Sequence, residues 1–313
     1  MCTRVFWSQN DVAKVVARTL DFSVPDEPRL WWLPAGMTRQ GHPDLPAVAW
    51  TSGFASVSVA EWDQAYLEGL NSAGLAAHAL MYTTAEYEPV DDRPALATSL
   101  WVHYILDNFD NVADAVAALA DVRVTPVEIL GIPMGVHVAI EDVHGDCAIF
   151  EPTDGTMVVH HGPEFQIMAN SPGLDEQLAN RVRYRPFGGE LPPPGDITSL
   201  DRFVRASYFH HYLTPPADSR EAAGGVMQVV MSVSKPPGAP YPDGDIYPTR
   251  WQSTSDLTNL DFYFWSRTSP ALVWLSMAEL AGQEAALSVD LFTPGLAGDL
   301  VPHLAPGRSA PTG

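Results

Sequence analysis

Residues 1–22 read MCTRVFWSQNDVAKVVARTLDF and carry the first sign of the fold. Residues 12–22 are rich in Val and Thr and partly alternate between apolar and polar side chains. This pattern predicts a β-strand that begins shortly after the N-terminus and lies close to Cys2. Arg18 and Asp21 lie at the end of this otherwise apolar strand. A buried charge is costly unless it is paired or used, so the two residues indicate either a structural salt bridge or a site near Cys2.

Cys2 is the second sign, because it follows the initiator Met1. Aminopeptidases remove Met1 when the next side chain is small, which leaves a thiol beside a free α-amino group. An unperturbed thiol has a pKa of about 8.5 and an α-amine a pKa of about 7.7–8.0. The amine can therefore accept the thiol proton near neutral pH without a histidine.

Arg18 and Asp21 are of the residue types that such a site needs. An arginine beside a thiol stabilises the thiolate, and a carboxylate beside an α-amine accepts its hydrogen bond. Residues three apart in a regular strand point to opposite faces. Both side chains are thus expected to reach Cys2 only if the strand bends or bulges between them.

Short apolar runs broken by turn signals predict further strands at about 47–59, 64–70, 75–83, 124–130, 135–142, 146–151 and 156–160. Amphipathic spacing predicts one or two helices in 96–119 and further helices at about 199–213 and 218–232. The aromatic runs DFYFW (261–265) and ALVWL (271–275) are expected to pair as strands across a short turn. Strands and helices without regular βαβ alternation favour an α+β fold of antiparallel layers.

The length allows one large domain or two modest ones, and we expect a single compact domain over residues 1–313. Hydrophobic residues make up 46% of the chain and charged residues 18%, as in ordinary folded proteins. The segment from about residue 293 to 313 is rich in Pro, Gly and Ala, which predicts a surface strap or a frayed end.

Charge and hydropathy exclude several classes of partner. The formal net charge of −21 would repel phosphate backbones and anionic lipid, so we expect no nucleic-acid partner. No run approaches the roughly 20 apolar residues of a membrane helix, and the N-terminus lacks a secretory pattern, which predicts a cytoplasmic protein without a membrane span. The two cysteines, Cys2 and Cys147, imply no disulfide framework. The histidine pairs at 160–161 and 210–211 have no ligand partners at suitable spacing, so no metal is expected.

Several segments, taken in order, resemble the choloylglycine hydrolase and penicillin V acylase family of N-terminal nucleophile (Ntn) hydrolases. They are CTR (2–4), RTLDF (18–22), GLNSAGL (69–75), GDCAIFEPTDG (145–155), QIMANSP (166–172), LPPPGDITSLDRFVRASY (191–208) and TRW (249–251). The resemblance spans most of the chain. It implies a four-layer αββα sandwich of two antiparallel sheets between helical layers, with Cys2 at the end of an inner strand.

The resemblance also implies roles for site residues. Cys2 would be the nucleophile and its own α-amine the base, with Arg18 and Asp21 orienting and polarising them. The side chain of Asn170 would donate a hydrogen bond to the oxyanion. From the residues alone, Asn170 before Ser-Pro could equally initiate a turn.

Two further residues are assigned in the same way. Tyr82 resembles the position whose backbone N–H supplies a second oxyanion donor, and Arg250 resembles an outer arginine of the network. The residues alone leave Tyr82 open as a core aromatic and Arg250 as an ordinary surface cation.

The reaction implied is acyl transfer from a linear amide through an acyl-Cys2 intermediate, and no cofactor is needed. Members of the family cleave penicillin V, conjugated bile salts or N-acyl homoserine lactones. Tyr82 resembles penicillin V acylase-like members, so the favoured substrate is a small N-acyl amide with an aromatic or fatty acyl group. Phe22 stands where a Trp is common in that branch. The family resemblance also implies a homo-oligomer, a tetramer.

Two alternatives stay open. One is a conjugated bile salt hydrolase, which would release glycine or taurine. The other is a catalytically silent relative that acts as a binding or scaffold protein and retains Met1.

Overall fold

The structure, a computed structural model, describes residues 1–241 and 244–307. In the first half of the chain the strands are β1 (Cys2–Trp7), β2 (Val15–Asp21), β3 (Pro28–Leu33), β4 (Thr38–Gln40), β5 (Ala49–Thr51), β6 (Ser56–Glu61), β7 (Ala65–Asn71), β8 (Leu75–Met81), β9 (Ala95–Ala97), β10 (Arg123–Thr125), β11 (Glu128–Ile129), β12 (Ile132–Pro133), β13 (Val136–Asp142) and β14 (Cys147–Thr153). Those that follow are β15 (Thr156–His161), β16 (Ile167–Met168), β17 (Thr249–Asp256), β18 (Asp261–Ser266), β19 (Val273–Ser276), β20 (Leu287–Asp290), β21 (Gly298–Asp299) and β22 (Ala305–Pro306). The α-helices are α1 (Trp101–Asn108), α2 (Val112–Ala118), α3 (Leu174–Arg181), α4 (Ser199–His211) and α5 (Ser219–Ser232).

Two large sheets form the centre of the molecule. The first sheet has the strand order β16-β1-β2-β17-β18-β19-β21, and the second has the order β15-β14-β13-β8-β7-β6-β3-β20-β22. Their central strands pair antiparallel, as in β1 with β2 and β7 with β8. The predicted pairing of the two aromatic strands, β18 and β19, is confirmed.

Helices cover the outer faces of both sheets. α5 packs on β1, β2 and β17, and α4 packs on β1, so both lie on the first sheet. α1 packs on β7 and β8 of the second sheet, and α2 packs on β13 and β14. The predicted four-layer αββα sandwich is therefore confirmed.

The inner strands are buried along their whole length. Every residue of β1 and β2 is buried, because helices cover one face of the first sheet and the second sheet covers the other. Burial on both faces explains why residues 15–20 lack a clean period-2 pattern, since neither face has to be polar. The arginines in these strands, Arg4 and Arg18, must then find partners inside the sandwich.

Gly69 of β7 shows how closely the second sheet and its helix approach each other. A Cβ at this position would lie 2.5 Å from the Val57 carbonyl oxygen and 2.6 Å from a methyl of Leu106 in α1. No larger side chain fits there without moving the helix, so α1 is held tightly against β7.

Several elements differ from the sequence prediction. The first strand is Cys2–Trp7, and β3, β17, β20 and α3 were not predicted. The run PRLWWL of β3 lacks the alternation that marks a half-buried strand, because all but one of its residues are buried. The single strand predicted at 47–59 is two strands, β5 and β6, in different sheets.

The C-terminal segment follows the edges of both sheets. β21 pairs with β19 of the first sheet, and β22 pairs with β20 of the second. Leu296 and Leu300 are buried, so part of this segment packs into the core. Residues 308–313 of the predicted strap lie outside the described residues. Within the described ranges, no helix has the length and apolar character needed to cross a membrane.

Candidate active site

Cys2 is the first residue of strand β1, lies opposite Leu20 of β2 and is 2% exposed. Its Sγ lies 3.1 Å from Nη2 of Arg18. The Nη1 atom of Arg18 donates to the carbonyl oxygens of Leu67, at 3.2 Å, and Ala79, at 3.1 Å, both in the second sheet. The guanidinium is therefore fixed between the sheets with one nitrogen directed at the thiol.

This environment changes the acidity of the Cys2 thiol. Burial raises the pKa of the thiol, but the nearby N-terminal amine and the Arg18 guanidinium lower it more, so that the pKa of Cys2 lies below its ordinary value. Burial also lowers the pKa of the N-terminal amine, here carried by Met1, from 8.0 to about 6. The thiol and the amine therefore each lose a proton more readily than an isolated thiol or amine.

Asp21 reaches the same end of the sheet from its opposite face. Its carboxylate lies 3.2 Å from Nζ of Lys235 and accepts a 2.6 Å hydrogen bond from Oγ1 of Thr249. Arg202 approaches to 3.8 Å. The backbone carbonyl oxygen of Asp21, rather than its carboxylate, accepts a hydrogen bond from the Met1 amine.

The expected irregularity lies in the neighbouring strand and not in β2. Strand β17 carries a β-bulge between Thr249, which is opposite Asp21, and Trp251, which is opposite Leu20. Because of the extra residue, the side chain of Thr249 points to the helical layer, as that of Asp21 does. Trp251 points to the second sheet and donates to Glu61. Arg18 and Asp21 keep their opposite orientations, and Cys2 lies where the two environments meet.

Asn170 is held directly beside Cys2. Its Oδ1 accepts hydrogen bonds from the Cys2 backbone N–H and from Nη2 of Arg202. Its Nδ2 donates to the Met81 carbonyl oxygen at 2.7 Å. An amide nitrogen has two hydrogens, so a second donor remains for an oxygen that develops negative charge near Cys2.

Arg202 of α4 and Lys235 are site residues that the sequence reasoning missed. Arg202 is fully buried and donates to the Cys2 carbonyl oxygen and to Oγ1 of Thr3, besides Asn170. A charged residue on the buried face of an amphipathic helix is a signal that could have identified it. Lys235 follows the end of α5 and precedes two prolines, and no pattern in the sequence marks it.

Tyr82 is the residue whose backbone N–H was expected to serve as a second oxyanion donor. Its backbone N–H donates to the Gly135 carbonyl oxygen at 2.8 Å, which continues the pairing of β8 with β13. Its ring stacks on His137 with the centroids 4.8 Å apart, and its hydroxyl lies 3.2 Å from Oγ1 of Thr153. Tyr82 is thus a core aromatic next to the site, and its single N–H already has an acceptor.

Arg250 also differs from an ordinary surface cation. Its guanidinium forms an ion pair with the buried carboxylate of Asp26 through two nitrogens. The structure therefore brings Cys2, Arg18, Asp21 and Asn170 together, whereas Arg250 ties the bulge of β17 to the loop after β2.

A cleft opens beside the Cys2 thiol. Phe22 and Trp62 form part of its wall, with ring centroids 6.0 Å apart, and the Trp62 indole donates to the Pro25 carbonyl oxygen. Apart from the thiol, its side chains are apolar; the lining residues are Met1, Cys2, Leu20, Phe22, Trp62, Leu67, Ala79, Met81, Met134 and Val136. Such a cleft suits an apolar group whose polar end reaches Cys2.

The arrangement places three groups together: a thiol of lowered pKa, the buried N-terminal amine and an Asn170 amide hydrogen that has no acceptor among the described residues. Among residues 1–241 and 244–307, no cluster of three or more His, Cys, Asp or Glu side chains is arranged to hold a metal ion.

The chain is similar to known proteins over most of its length. Residues 2–285 match the family of linear amide C–N hydrolases, choloylglycine hydrolase family. A penicillin V acylase of Pectobacterium atrosepticum is 31% identical over 307 residues, covering 89% of this chain and 81% of that protein. A bile salt hydrolase/transferase of Bifidobacterium longum subsp. longum is 25% identical over 314 residues, covering 89% of this chain and 96% of that protein.

A solved structure gives the same result at the level of the whole fold. The penicillin V acylase of Agrobacterium tumefaciens superposes with a TM-score of 0.89 at 32% identity, covering 99% of this chain and 98% of that one. The chain described here therefore belongs to the choloylglycine hydrolase family of linear amide C–N hydrolases and is an amidohydrolase.

Proposed function

We propose that this enzyme is a cysteine-dependent acylase of small N-acyl amides, of the penicillin V acylase or N-acyl homoserine lactone acylase type. The observation that carries the proposal is the 3.1 Å contact between Arg18 Nη2 and Cys2 Sγ at the side of an apolar cleft. A cation directed at a buried thiol favours the thiolate, which is the reactive nucleophile.

Removal of Met1 would complete the site. With Met1 present, the nitrogen of Cys2 is an amide and cannot act as a base. After its removal, the same nitrogen becomes the α-amine, and its hydrogen bond to Asn170 Oδ1 would fix its direction. Because Met1 lines the cleft, its loss would also open space beside the thiol for a substrate.

The proposed reaction has two halves. The Cys2 amine takes the thiol proton, and the thiolate attacks the amide carbonyl carbon while the free N–H of Asn170 stabilises the oxyanion. The C–N bond then breaks, and the protonated amine gives its proton to the leaving nitrogen. Water, deprotonated by the same amine, hydrolyses the acyl-Cys2 thioester and regenerates the thiol.

The lining of the cleft favours an apolar acyl group. Leu20, Phe22, Trp62 and Met134 offer aliphatic and aromatic contacts and no charge to bind an ionised group. A phenoxyacetyl or fatty acyl chain would bury its surface there, while the amine product leaves from the open side. This supports penicillin V or acyl homoserine lactones over conjugated bile salts, whose steroid is larger and carries polar hydroxyls.

A substrate panel tests the proposal. Wild-type enzyme and Cys2→Ser are incubated with penicillin V, acyl homoserine lactones of several chain lengths and glycocholate, and the released amines are quantified. We expect wild type to hydrolyse at least one of the first two classes and Cys2→Ser to lose at least about 1,000-fold in kcat/KM.

Intact mass of both proteins is the control, because Met1 must be absent from each for the comparison to hold. Equal turnover by both would remove Cys2 from the mechanism. Hydrolysis of glycocholate alone would establish the bile salt alternative, and retention of Met1 in an inactive wild type would favour a silent relative.

A further inference from the structure

Five ionisable side chains form a line between the two sheets, away from the cleft. In order they are Arg4 of β1, Glu141 of β13, His78 of β8, Glu68 of β7 and Arg18 of β2, and none is more than 2% exposed. We call this set the ion-pair chain. The acyl-transfer steps described above use Arg18 at its end and leave the other four members without a role.

Each member of the ion-pair chain faces one of opposite charge. Arg4 is paired with Glu141, whose second oxygen lies 2.7 Å from Nε2 of His78. Nδ1 of His78 lies 3.7 Å from Oε2 of Glu68, and the same oxygen lies 3.6 Å from Nε of Arg18. Nη2 of Arg18 then contacts Cys2 Sγ, so the line ends on the thiol.

Glu68 is the branch point of the ion-pair chain. Its Oε2 faces both His78 and Arg18 and accepts a 2.5 Å hydrogen bond from Ser253 Oγ. Its Oε1 is buried and has no hydrogen-bond partner among the described residues. A buried carboxylate with one oxygen that lacks a hydrogen bond attracts the neighbouring cations strongly. How firmly it holds Arg18 thus depends on how much of its charge His78 neutralises.

We propose that His78 is a positioning residue for the thiolate, holding Arg18 on Cys2 through the carboxylate that the two cations share, Glu68. The inference rests on the proposed function, because it assigns a purpose to a residue behind the proposed nucleophile. A protonated His78 balances Glu68 and leaves the Arg18 guanidinium free to face the sulfur.

The charge count agrees with this role. Two arginines and a protonated His78 against two glutamates leave one positive charge, which a Cys2 thiolate neutralises. Although burial lowers the pKa of His78, Glu141 and Glu68 raise it more, so the pKa lies above its ordinary value and the charged imidazole is favoured. Two further ionisable groups lie close to the ion-pair chain. Burial raises the pKa of Cys147 in β14 to about 11 and that of Glu61, near Arg18, to about 8, so both are mainly uncharged at neutral pH.

The test replaces His78 with neutral side chains and reads out the thiol directly. His78→Asn keeps a donor near the place of Nδ1, and His78→Gln keeps one near the place of Nε2. The rate of Cys2 alkylation by iodoacetamide is measured against pH, with the modified cysteine located by peptide mass mapping, and kcat/KM is measured against pH on the best substrate of the panel.

We expect the alkylation midpoint of Cys2 to rise by about one pH unit in either variant, which makes alkylation about 10-fold slower below the midpoint. The plateau at high pH stays at the wild-type rate, because the thiolate itself is intact. Loss of kcat/KM at low pH with recovery at high pH should accompany it.

His103→Gln is the matched control. His103 is also fully buried, but burial and the nearby Arg39 keep its pKa well below the ordinary value, so that replacement removes no charge. Its alkylation midpoint should match wild type. An unchanged midpoint in a cooperatively folded His78 variant would overturn the proposal, as would loss of cooperative unfolding in both His78 variants, since the role would then be structural.

The two proposals fail separately. If the wild type hydrolyses no amide but the His78 variants shift the alkylation midpoint, the proposed function is wrong and the positioning of Arg18 by His78 still holds. If amides are hydrolysed and the midpoint does not move, only the role of His78 is wrong.

Discussion

The two cysteines of this chain are both buried in the sandwich, yet their surroundings have opposite effects on the thiol. Cys147 is fully buried on β14, and its Sγ faces the carbonyl oxygens of Gly162, at 3.1 Å, and Phe165, at 3.5 Å. Burial raises its pKa to about 11. Cys2 is 2% exposed, and its pKa lies below the ordinary value because the N-terminal amine and Arg18 outweigh burial.

Burial therefore does not decide whether a thiol is reactive, but the direction of its polar neighbours does. The Cys147 thiol donates to carbonyl oxygens, and these acceptors favour its protonated form. Arg4 lies near it, but that guanidinium is committed to Glu141 and to the Phe165 carbonyl oxygen. Cys2 faces the Arg18 guanidinium, which directs one nitrogen at the sulfur. The amide of Asn170 beside it can donate to an oxyanion, whereas the carbonyl oxygens around Cys147 would repel one.

The largest effect should come from removing the amide donor next to Cys2. Asn170→Ala should lower kcat about 100- to 1,000-fold, as expected for loss of one oxyanion donor, with kcat and KM measured on the best amide substrate. Tyr82→Phe is the control, because it removes only a hydroxyl that contacts Thr153, and its kcat should stay within about threefold of wild type. Similar losses in both variants would contradict the assignment of the oxyanion donor to Asn170.

The second effect separates the two thiols within one molecule. Wild-type protein treated with iodoacetamide at pH 7 should be alkylated at Cys2 at least about 100-fold faster than at Cys147. Burial raises the pKa of Cys147 to about 11, whereas the pKa of Cys2 lies below its ordinary value, and each pKa unit changes the thiolate fraction about 10-fold. Mass mapping of the two peptides over time measures both rates in one sample. Comparable labelling of Cys147 in the folded protein would show that acceptors and burial do not suppress its thiolate.

The smallest effect concerns the unreactive thiol. Cys147→Ala should reduce the free energy of unfolding by about 1 kcal/mol, because a buried sulfur and its weak hydrogen bond are lost. Denaturant titration measures the stability, and kcat/KM of the folded variant should equal that of wild type. A fall in kcat/KM at unchanged stability would mean that Cys147 has a part in the reaction, and the contrast between the two thiols would then fail.

The sequence was sufficient for the architecture and for part of the site. The pattern of strands and helices predicted an α+β fold of antiparallel layers, the family resemblance implied the αββα sandwich, and Cys2, Arg18, Asp21 and Asn170 do lie together. Arg202 and Lys235 escaped prediction because their contacts with Asn170 and Asp21 join segments far apart in the chain. The hydrogen bond from the Tyr82 N–H to Gly135 was not foreseen, because it depends on strand register, here Met81 opposite Val136, which local sequence does not reveal.

The bulge at Arg250 determines which face of β17 carries Thr249. In an uninterrupted ladder between β2 and β17, Arg250 would lie opposite Asp21 and Thr249 would point away from its carboxylate. Trp251, Ser253 and Ser255 would keep their inward orientation. The interior would then be unchanged while Asp21 loses its hydrogen bond from Thr249, so the bulge, and not the packing of the core, holds this contact in place.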